Sequence, residues 1–369
     1  MNAAELDFIT IKGFKSIAAV EKLRLQPINV MIGPNGSGKS NLIGVFVFLH
    51  AIREGRLQDY VAKAGGADRV LHYGAKTTQA IEIHVSFKEG VNQYEVKLEP
   101  NDADELIPTD EKVYYWEKTR YARPCHDYLD RRGKEAGISD SSLTRTAAWV
   151  RQHLGSWRVY HFHDTSASSP MKKAADVNDN RFLRSDASNL SAFLYYVQQT
   201  HGESYGLIRS TIQRVTPFFE DFHLEPMQLN KEKIHLEWKH TSSDKYFDAS
   251  SLSDGTLRFM ALATLFLQPE SCRPSVILVD EPELGLHPYA ITMLASLIKM
   301  ASEKTQTIVS TQSPMLLDHF APEDVLVADR VKDATQLTRL DTENLSAWLE
   351  EYSLGQLWEK NEIGGRPKR

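Results

Sequence analysis

The rhythm of apolar and polar positions changes along the chain, and each rhythm predicts an element. Phe8 to Ile11 alternates apolar and polar, the period of a half-buried strand, and Pro27 to Ile32 is apolar at nearly every position, as a strand buried on both faces would be. Glycines then interrupt, and Lys39 to Arg53 carries apolar residues around much of its circumference, which predicts a helix packed inside an α/β layer. Strands follow at Ile81 to Phe87 and Tyr94 to Leu98, with a hairpin turn over Glu89 to Asn92. Leu190 to Val197 and Gly206 to Val215 have helical period, but no stretch sustains the heptads of a coiled coil. Beyond residue 216 the pattern predicts strands near Phe219 to Leu229, Ile234 to Trp238, Val276 to Asp280, Thr307 to Ser310 and Val325 to Ala328. Helices are predicted to start at Gly255 and at Pro288.

Between Glu99 and about Val215 the chain turns polar and loop-rich, with NDADELIPTD, YARPCHDYLDRRGKEAG and DTSASSPMKK. This divides the protein into residues 1–98, an insertion over 99–215 and residues 216–369. The expected architecture is α/β, with a mixed or parallel sheet and a mostly helical insertion between two halves.

Composition narrows the field without naming a function. At 369 residues, 41% hydrophobic and 25% charged, the chain can bury a sizeable core and is not a disordered one. Its longest apolar run, Phe259 to Leu267, is too short to span a bilayer, and Glu5 and Asp7 stand where a signal peptide would be basic. A cytoplasmic location with no membrane partner is expected, and two isolated cysteines, Cys125 and Cys272, suit a reducing compartment. With 43 basic against 49 acidic residues, net charge −6, global basicity gives no argument for nucleic acid.

The chemistry is concentrated in four short segments. Gly33 to Ser40, GPNGSGKS, fits the phosphate-loop pattern G-x-x-x-x-G-K-[ST] between an apolar strand and a helix. Gly33, Pro34, Asn35, Gly36, Ser37 and Gly38 would wrap an anion in backbone amides at the helix amino terminus. Lys39 adds a point charge at the β- and γ-phosphates, Ser40 a ligand for Mg²⁺, and Asn41 follows. SVILVDEPELGLHP places Asp280 at the end of an apolar strand, where it can hold the magnesium, with Glu281 next as a candidate general base. Glu283 can either support the site from behind its contact residues or be a helix-start carboxylate, and the second reading is preferred. In SLSDGT, Ser253 or Asp254 can cap a largely apolar helix while Gly255 leaves its amino terminus bare. In STQSP, Gln312 follows a strand and can orient water or sense a γ-phosphate.

These four segments, in this order, together with ITIKGFKSI and LQPINVMIGPNGSGKSNL, resemble the ATP-binding-cassette ATPases, in the branch of the SMC, RecF and OLD (overcoming lysogenization defect) proteins. The resemblance covers residues 1 to about 98 and 216 to about 330. It implies that Gly33 to Ser40 is the Walker A loop, that SVILVDEP is Walker B with Glu281 as catalytic base, that LSDGT is the signature and that Gln312 stands at the switch. It also implies that Ser253 and Gly255 face the ATP of a second subunit, so that two ATP molecules are sandwiched in a head-to-tail pair. Relatives often carry His at the switch, where this chain has Gln312. Gln79 is the candidate for the glutamine that the class places in its first lobe.

The absence of coiled-coil arms argues against a chromosome tether, and too little chain follows Gln312 for the Toprim nuclease domain of the OLD proteins. A transporter subunit fits poorly with the long insertion. The expectation is therefore an ATP-hydrolysing regulatory subunit, a homodimer or higher oligomer, that controls a separate effector such as a Toprim-like nuclease in bacterial defence against phage. A RecF-like DNA-binding ATPase in repair is the alternative. Arg120, Arg123, Arg131, Arg132 and Lys134 with Tyr114, Tyr115, Trp116 and Tyr121 keep DNA open as a partner, although the interleaved acids read as a solvated face. In YHFHD, His161 and His163 share one strand face with no third ligand evident beside Asp164, so no metal is assigned there. The insertion is read as the partner-docking surface.

Overall fold

The computed structural model describes residues 6–130, 133–140 and 143–365. Two six-stranded sheets organise it. The first is antiparallel, built from β1 (Leu6–Phe14), β2 (Ile17–Arg24), β4 (Ile81–Phe87), β5 (Asn92–Pro100), β6 (Leu106–Tyr115) and β7 (Cys125–Tyr128) in the order β2-β1-β4-β5-β6-β7. The second holds β3 (Ile28–Ile32), β8 (Trp157–Tyr160), β9 (Val276–Asp280), β10 (Gln306–Ser310), β11 (Val325–Val331) and β12 (Ala334–Arg339). Its order is β12-β11-β3-β10-β9-β8, and every pair is parallel except β11 with β12.

The period of two along the parallel strands sends neighbouring residues into different cores. Met31, Val276, Leu278, Ile308 and Leu326 face the first sheet and pack with α1 (Lys39–Arg53). Val30, Ile32, Ile277, Val279 and Val309 face the other way, onto α5 (Asp254–Leu267) and α6 (Pro288–Ser302). Helix α1 lies between the two sheets, which is why Leu42, Val45, Phe46, Phe48, Leu49 and Ile52 are buried around so much of its surface.

The segment 99–215, expected to be a mostly helical insertion, supplies strands to both sheets. β6 and β7 extend the antiparallel sheet, and β8 closes the edge of the parallel one. LIPTDEKVYY does alternate buried and half-buried positions. A register shift at Lys97/Leu98 interrupts the pairing of β5 with β6, and a buried carboxylate, Glu111, stands at a core position and disguises the period. Helices α2 (Arg145–Leu154), α3 (Leu190–Thr200) and α4 (Gly202–Val215) bury residues in the same two cores, Val150 in one and Phe193 and Ile212 in the other. The single strand expected over Phe219 to Leu229 stops at His223 and restarts at Pro226, in two small three-stranded sheets beside the helices.

Register sets the site. Asp280 pairs with Ser310, Ser310 with Met31, and Val279 with Tyr160, so four neighbouring strands end level. The phosphate loop, Asp280, the segment Ser310 to Gln312 and His161 therefore leave the sheet together at its carboxyl edge, where open parallel sheets bind ligands.

Candidate active site

The phosphate loop depends on glycine for two separate reasons. Gly33, Gly36 and Gly38 have φ of 150°, 79° and 104°, a region that L side chains rarely adopt. A Cβ on Gly33 would lie 2.2 Å from the Ala328 carbonyl oxygen and one on Gly38 2.0 Å from Thr335 Oγ1, while one on Gly36 would meet nothing. Two glycines thus fit the loop to β11 and β12, and the third sits on its open side. Thr335 Oγ1 donates to the Ser37 carbonyl at 2.8 Å and pairs with Ser16 Oγ at 2.6 Å. Asn41 Nδ2 donates to the same Ser16 oxygen at 2.6 Å, so its amide braces the loop against the β1–β2 turn.

Helix α1 starts at Lys39 with no side-chain cap. Its amino terminus keeps the unsatisfied donors and positive end that favour an anion. Lys39 Nζ donates to the carbonyls of Gly33 at 2.6 Å and Pro34 at 3.2 Å. Burial pushes its pKa down, and Glu281, Asp280 and Glu283 pull in the opposite direction, so the ammonium sits within the field of all three carboxylates. Asn35, Gly36 and Ser40 are exposed, and Ser37 Oγ is buried without a hydrogen-bond partner. An uncapped helix terminus, a buried lysine within the field of three carboxylates and an exposed hydroxyl next to it in sequence fit a nucleoside triphosphate with Mg²⁺.

Asp280 ends β9 half-buried, and Ser310 Oγ donates to its Oδ1 at 2.5 Å. Glu281 turns out of the strand with φ of 43°, its amide donating to the Ser310 carbonyl at 2.8 Å, and its carboxylate accepts from Gln312 Nε2. The two residues expected to act on water are thus in direct contact. Glu283 is not a helix-start carboxylate, because α6 begins only at Pro288. It is buried in the turn, where Oε1 accepts from Thr311 Oγ1 at 2.6 Å and from the Gln312 amide at 3.1 Å, and Oε2 has no partner. Burial pushes its pKa up. Its carboxylate therefore fixes the backbone of the switch segment, a role that becomes visible only once β9 and β10 are paired.

Ser253 caps α5, its Oγ accepting from the Thr256 amide at 3.2 Å, and it is exposed together with Asp254. Gly255 is half-buried, with the turn after Glu283 closed against one side of it. A Cβ there would stand 2.4 Å from the Gly285 carbonyl, so glycine is needed because the turn after Glu283 packs directly on it. One turn further along, Arg258 is 5% exposed. Its Nε donates to the Phe162 carbonyl at 2.8 Å and its Nη2 to the His163 carbonyl at 3.2 Å.

Asp164 spends its carboxylate on Ser166. Asp280 instead stands beside both histidines, with ligand atoms of His161, His163 and Asp280 within 4.8 Å of one another. Gln79 lies elsewhere, in a groove it lines with Lys12, His72 and Glu82. In the basic and aromatic group, Lys134 pairs with Glu105, Tyr114 donates to Glu95 and Arg120 lies over the Tyr121 ring. Arg131 and Arg132 lie outside the described residues, as do Glu5 and residues 366–369. Both cysteines are free, Cys125 exposed and Cys272 half-buried. Among the described residues no helix is long and apolar enough to cross a membrane.

Residues 28–318 match the family described as "AAA domain, putative AbiEii toxin, Type IV TA system". The chain belongs to this family. The matched span runs from β3 past Gln312 and includes Gly33 to Ser40, Ser253 to Gly255, Asp280 and Glu281. Among solved structures, the chain resembles an Smc head bound to the C-winged helix domain of ScpA, with TM-score 0.60 and 16% identity over 92% of this chain and 99% of that one. It also resembles a Pyrococcus furiosus Smc head domain with an extended coiled coil, bound to the C-terminal domain of ScpA, with TM-score 0.57 and 15% identity over 94% and 99%. The fold is that of an SMC-type ATPase head. Over 113 residues the sequence is 32% identical to the chromosome partition protein Smc of Mycobacterium tuberculosis and 31% identical to that of Mycolicibacterium paratuberculosis. Each match covers 25% of this chain and 9% of the relative, so the chain spans a small part of those proteins' length. The chain is thus an AAA-domain protein with the fold of an SMC-type ATPase head.

Proposed function

We propose that this chain binds and hydrolyses ATP with Mg²⁺, pairs head-to-tail around the nucleotide and thereby switches a separate effector in cytoplasmic defence against phage. The observation that carries the reading is the convergence of Lys39, Ser40, Asp280, Glu281 and Gln312 at one sheet edge, with Glu281 and Gln312 hydrogen-bonded to each other. The loop amides and Lys39 bind the phosphates. Ser40 and Asp280 hold Mg²⁺, which when bound neutralises phosphate charge. Glu281 takes the proton of the attacking water, Gln312 orients that water, and Glu283 keeps Gln312 in place through Thr311 and the Gln312 amide. Ser253 and Gly255 present the amino terminus of α5 to the ATP of a second copy.

The defence role takes its support from the family, whose description names a toxin system. Docking of the effector is assigned to the 99–215 segment, where β7 forms an exposed sheet edge ending in the exposed Tyr128, with exposed Tyr121 in the chain just before it. Light scattering on Glu281→Gln tests the pairing. ATP should raise the mass from one chain to two, and adding Ser253→Arg should abolish that rise. A mass unaffected by Ser253→Arg contradicts head-to-tail closure. Phage plating tests the role, since Lys39→Ala should lose protection. Tight duplex-DNA binding with a steep salt dependence and no protein partner would instead favour repair.

A further inference from the structure

β8 ends beside Asp280, and the two histidines that follow it have no role in ATP hydrolysis as described above. Val279 pairs with Tyr160, so Asp280 and His161 are level on adjacent parallel strands. Phe162 turns into the core at 3% exposure, and His161 and His163 flank it on the exposed side, as strand alternation requires. We infer that His161, His163 and Asp280 form a binding site for a divalent transition ion of the zinc class, next to the ATP site and sharing Asp280 with it.

The donor set decides the class. Mg²⁺ takes oxygen ligands in a strict octahedron, whereas two imidazoles and a carboxylate are the ligands of Zn²⁺ and its neighbours. Three protein ligands leave the fourth tetrahedral position for water or a phosphate oxygen. The ligand atoms already lie within 4.8 Å of one another. Zinc bonds of about 2.0 to 2.2 Å bring tetrahedral ligands to roughly 3.4 Å, so closing the shell takes side-chain movements of about 1 Å.

The backbone under the histidines is held independently on several sides. Arg258 donates to the Phe162 and His163 carbonyls, the His161 amide donates to the Ser185 carbonyl, Ser169 Oγ donates to the Asp164 carbonyl and Lys172 Nζ to the Thr165 carbonyl. Ser310 donates to one oxygen of Asp280, the kind of outer contact that orients a ligating carboxylate. The backbone that carries the ligands is therefore a fixed frame, and His163 Nε2 already lies 3.1 Å from the Asp280 carbonyl oxygen, which holds that ring against β9. The sharing of Asp280 gives the site a consequence: an ion held there competes with Mg²⁺·ATP for the carboxylate or occupies the metal position beside it. The inference rests on the ATPase reading only through that shared residue.

Titration calorimetry of the full chain without a histidine tag, with zinc chloride and no nucleotide, should give one ion per chain. Replacing either histidine by Ala should weaken binding at least about tenfold, since even outer contacts to such ligands are worth about 10- to 100-fold. His161→Ala/His163→Ala should abolish it. Ser40→Ala should leave zinc affinity unchanged while weakening Mg²⁺·ATP binding. Cobalt chloride gives a second readout: with the wild-type protein the visible spectrum should take the intense form of a tetrahedral ion, and Asp280→Asn should lose it. A cobalt spectrum identical to that of the free ion, or a double histidine variant that binds zinc as tightly as wild type, overturns the proposal. Fluorescent-nucleotide binding with Mg²⁺ is measured in parallel. Intact ATP binding without a zinc site defeats this inference alone, and an intact zinc site without ATP binding defeats the ATPase reading alone.

Discussion

Arg258 joins α5 to the turn that carries the histidines, and Arg258→Met tests what that link is worth. The guanidinium is 5% exposed and donates to two carbonyls, at 2.8 and 3.2 Å. It also packs on the turn after Glu283, since a Cβ on Gly285 would lie 2.9 Å from its Nη1. Burial pushes its pKa below the ordinary arginine value, but a guanidinium stays charged in any case. Methionine keeps the aliphatic stem and leaves the Phe162 and His163 carbonyls without their donor, at about 1 to 3 kcal/mol for each buried group. Relief from burying a charge returns part of that. The net loss is about 2 to 4 kcal/mol. With an unfolding entropy near 2.1 cal/mol/K per residue, a chain of 369 residues unfolding as one unit gains about 0.8 kcal/mol/K, so Tm should fall by about 3 to 5 °C. Calorimetry on nucleotide-free protein reads this directly, and Arg258→Lys, with one compact donor group, should recover about half the loss. An Arg258→Met protein that melts within about 1 °C of wild type would refute the assignment of a structural link here.

Gly38→Ala places a methyl 2.0 Å from Thr335 Oγ1 at a φ of 104°, so it should cut fluorescent-ATP affinity at least about tenfold, and wild-type affinity would show that the loop tolerates a side chain there. Glu283→Gln should slow hydrolysis about tenfold with ATP affinity held within about threefold, because only the hold on Gln312 changes. The same variant has a pH signature. Burial raises the Glu283 pKa, so the folded state binds its proton more tightly than the unfolded state, and stability from this group is present at low pH and lost as pH rises through the folded value. Melting curves should therefore shift in favour of Glu283→Gln as pH is raised from about 5 to about 8, and a constant difference between the two proteins would contradict a raised pKa.

What could be read in advance was whatever rests on local period and spacing. The helix predicted over Lys39 to Arg53 and the strands predicted over Ile81 to Phe87 and Val276 to Asp280 have those bounds in the structure, because glycine punctuation and apolar runs act over a few residues. The phosphate loop was legible for the same reason. Features that depend on strand register were not legible. Asp280 meets His161 and His163 only because Val279 pairs with Tyr160, far away in sequence, and nothing in YHFHD announces that neighbour. Glu283 can be read either as a support of the site or as a helix-start carboxylate, and the wrong one is preferred because its partners Thr311 and Gln312 arrive from another strand. Arg258 in an otherwise apolar helix gave no sign that its charge would be satisfied by carbonyls of a distant turn. The segment 99–215 looked inserted because its loops are polar, while the strands that join it to both sheets are short or broken by a register shift.

The steady-state rate of ATP hydrolysis by the wild-type chain and by Glu281→Gln, each with fluorescent-ATP affinity measured alongside, tests the central claim most directly. Glu281 contacts Gln312 at the end of β9, and general-base help acts only in the transition state. The account predicts Mg²⁺-dependent hydrolysis by wild type, a loss of about 10² to 10⁴ in rate for Glu281→Gln, and ATP affinity unchanged within about threefold. Equal rates for the two proteins, or hydrolysis by neither when both bind ATP and Mg²⁺, would contradict it.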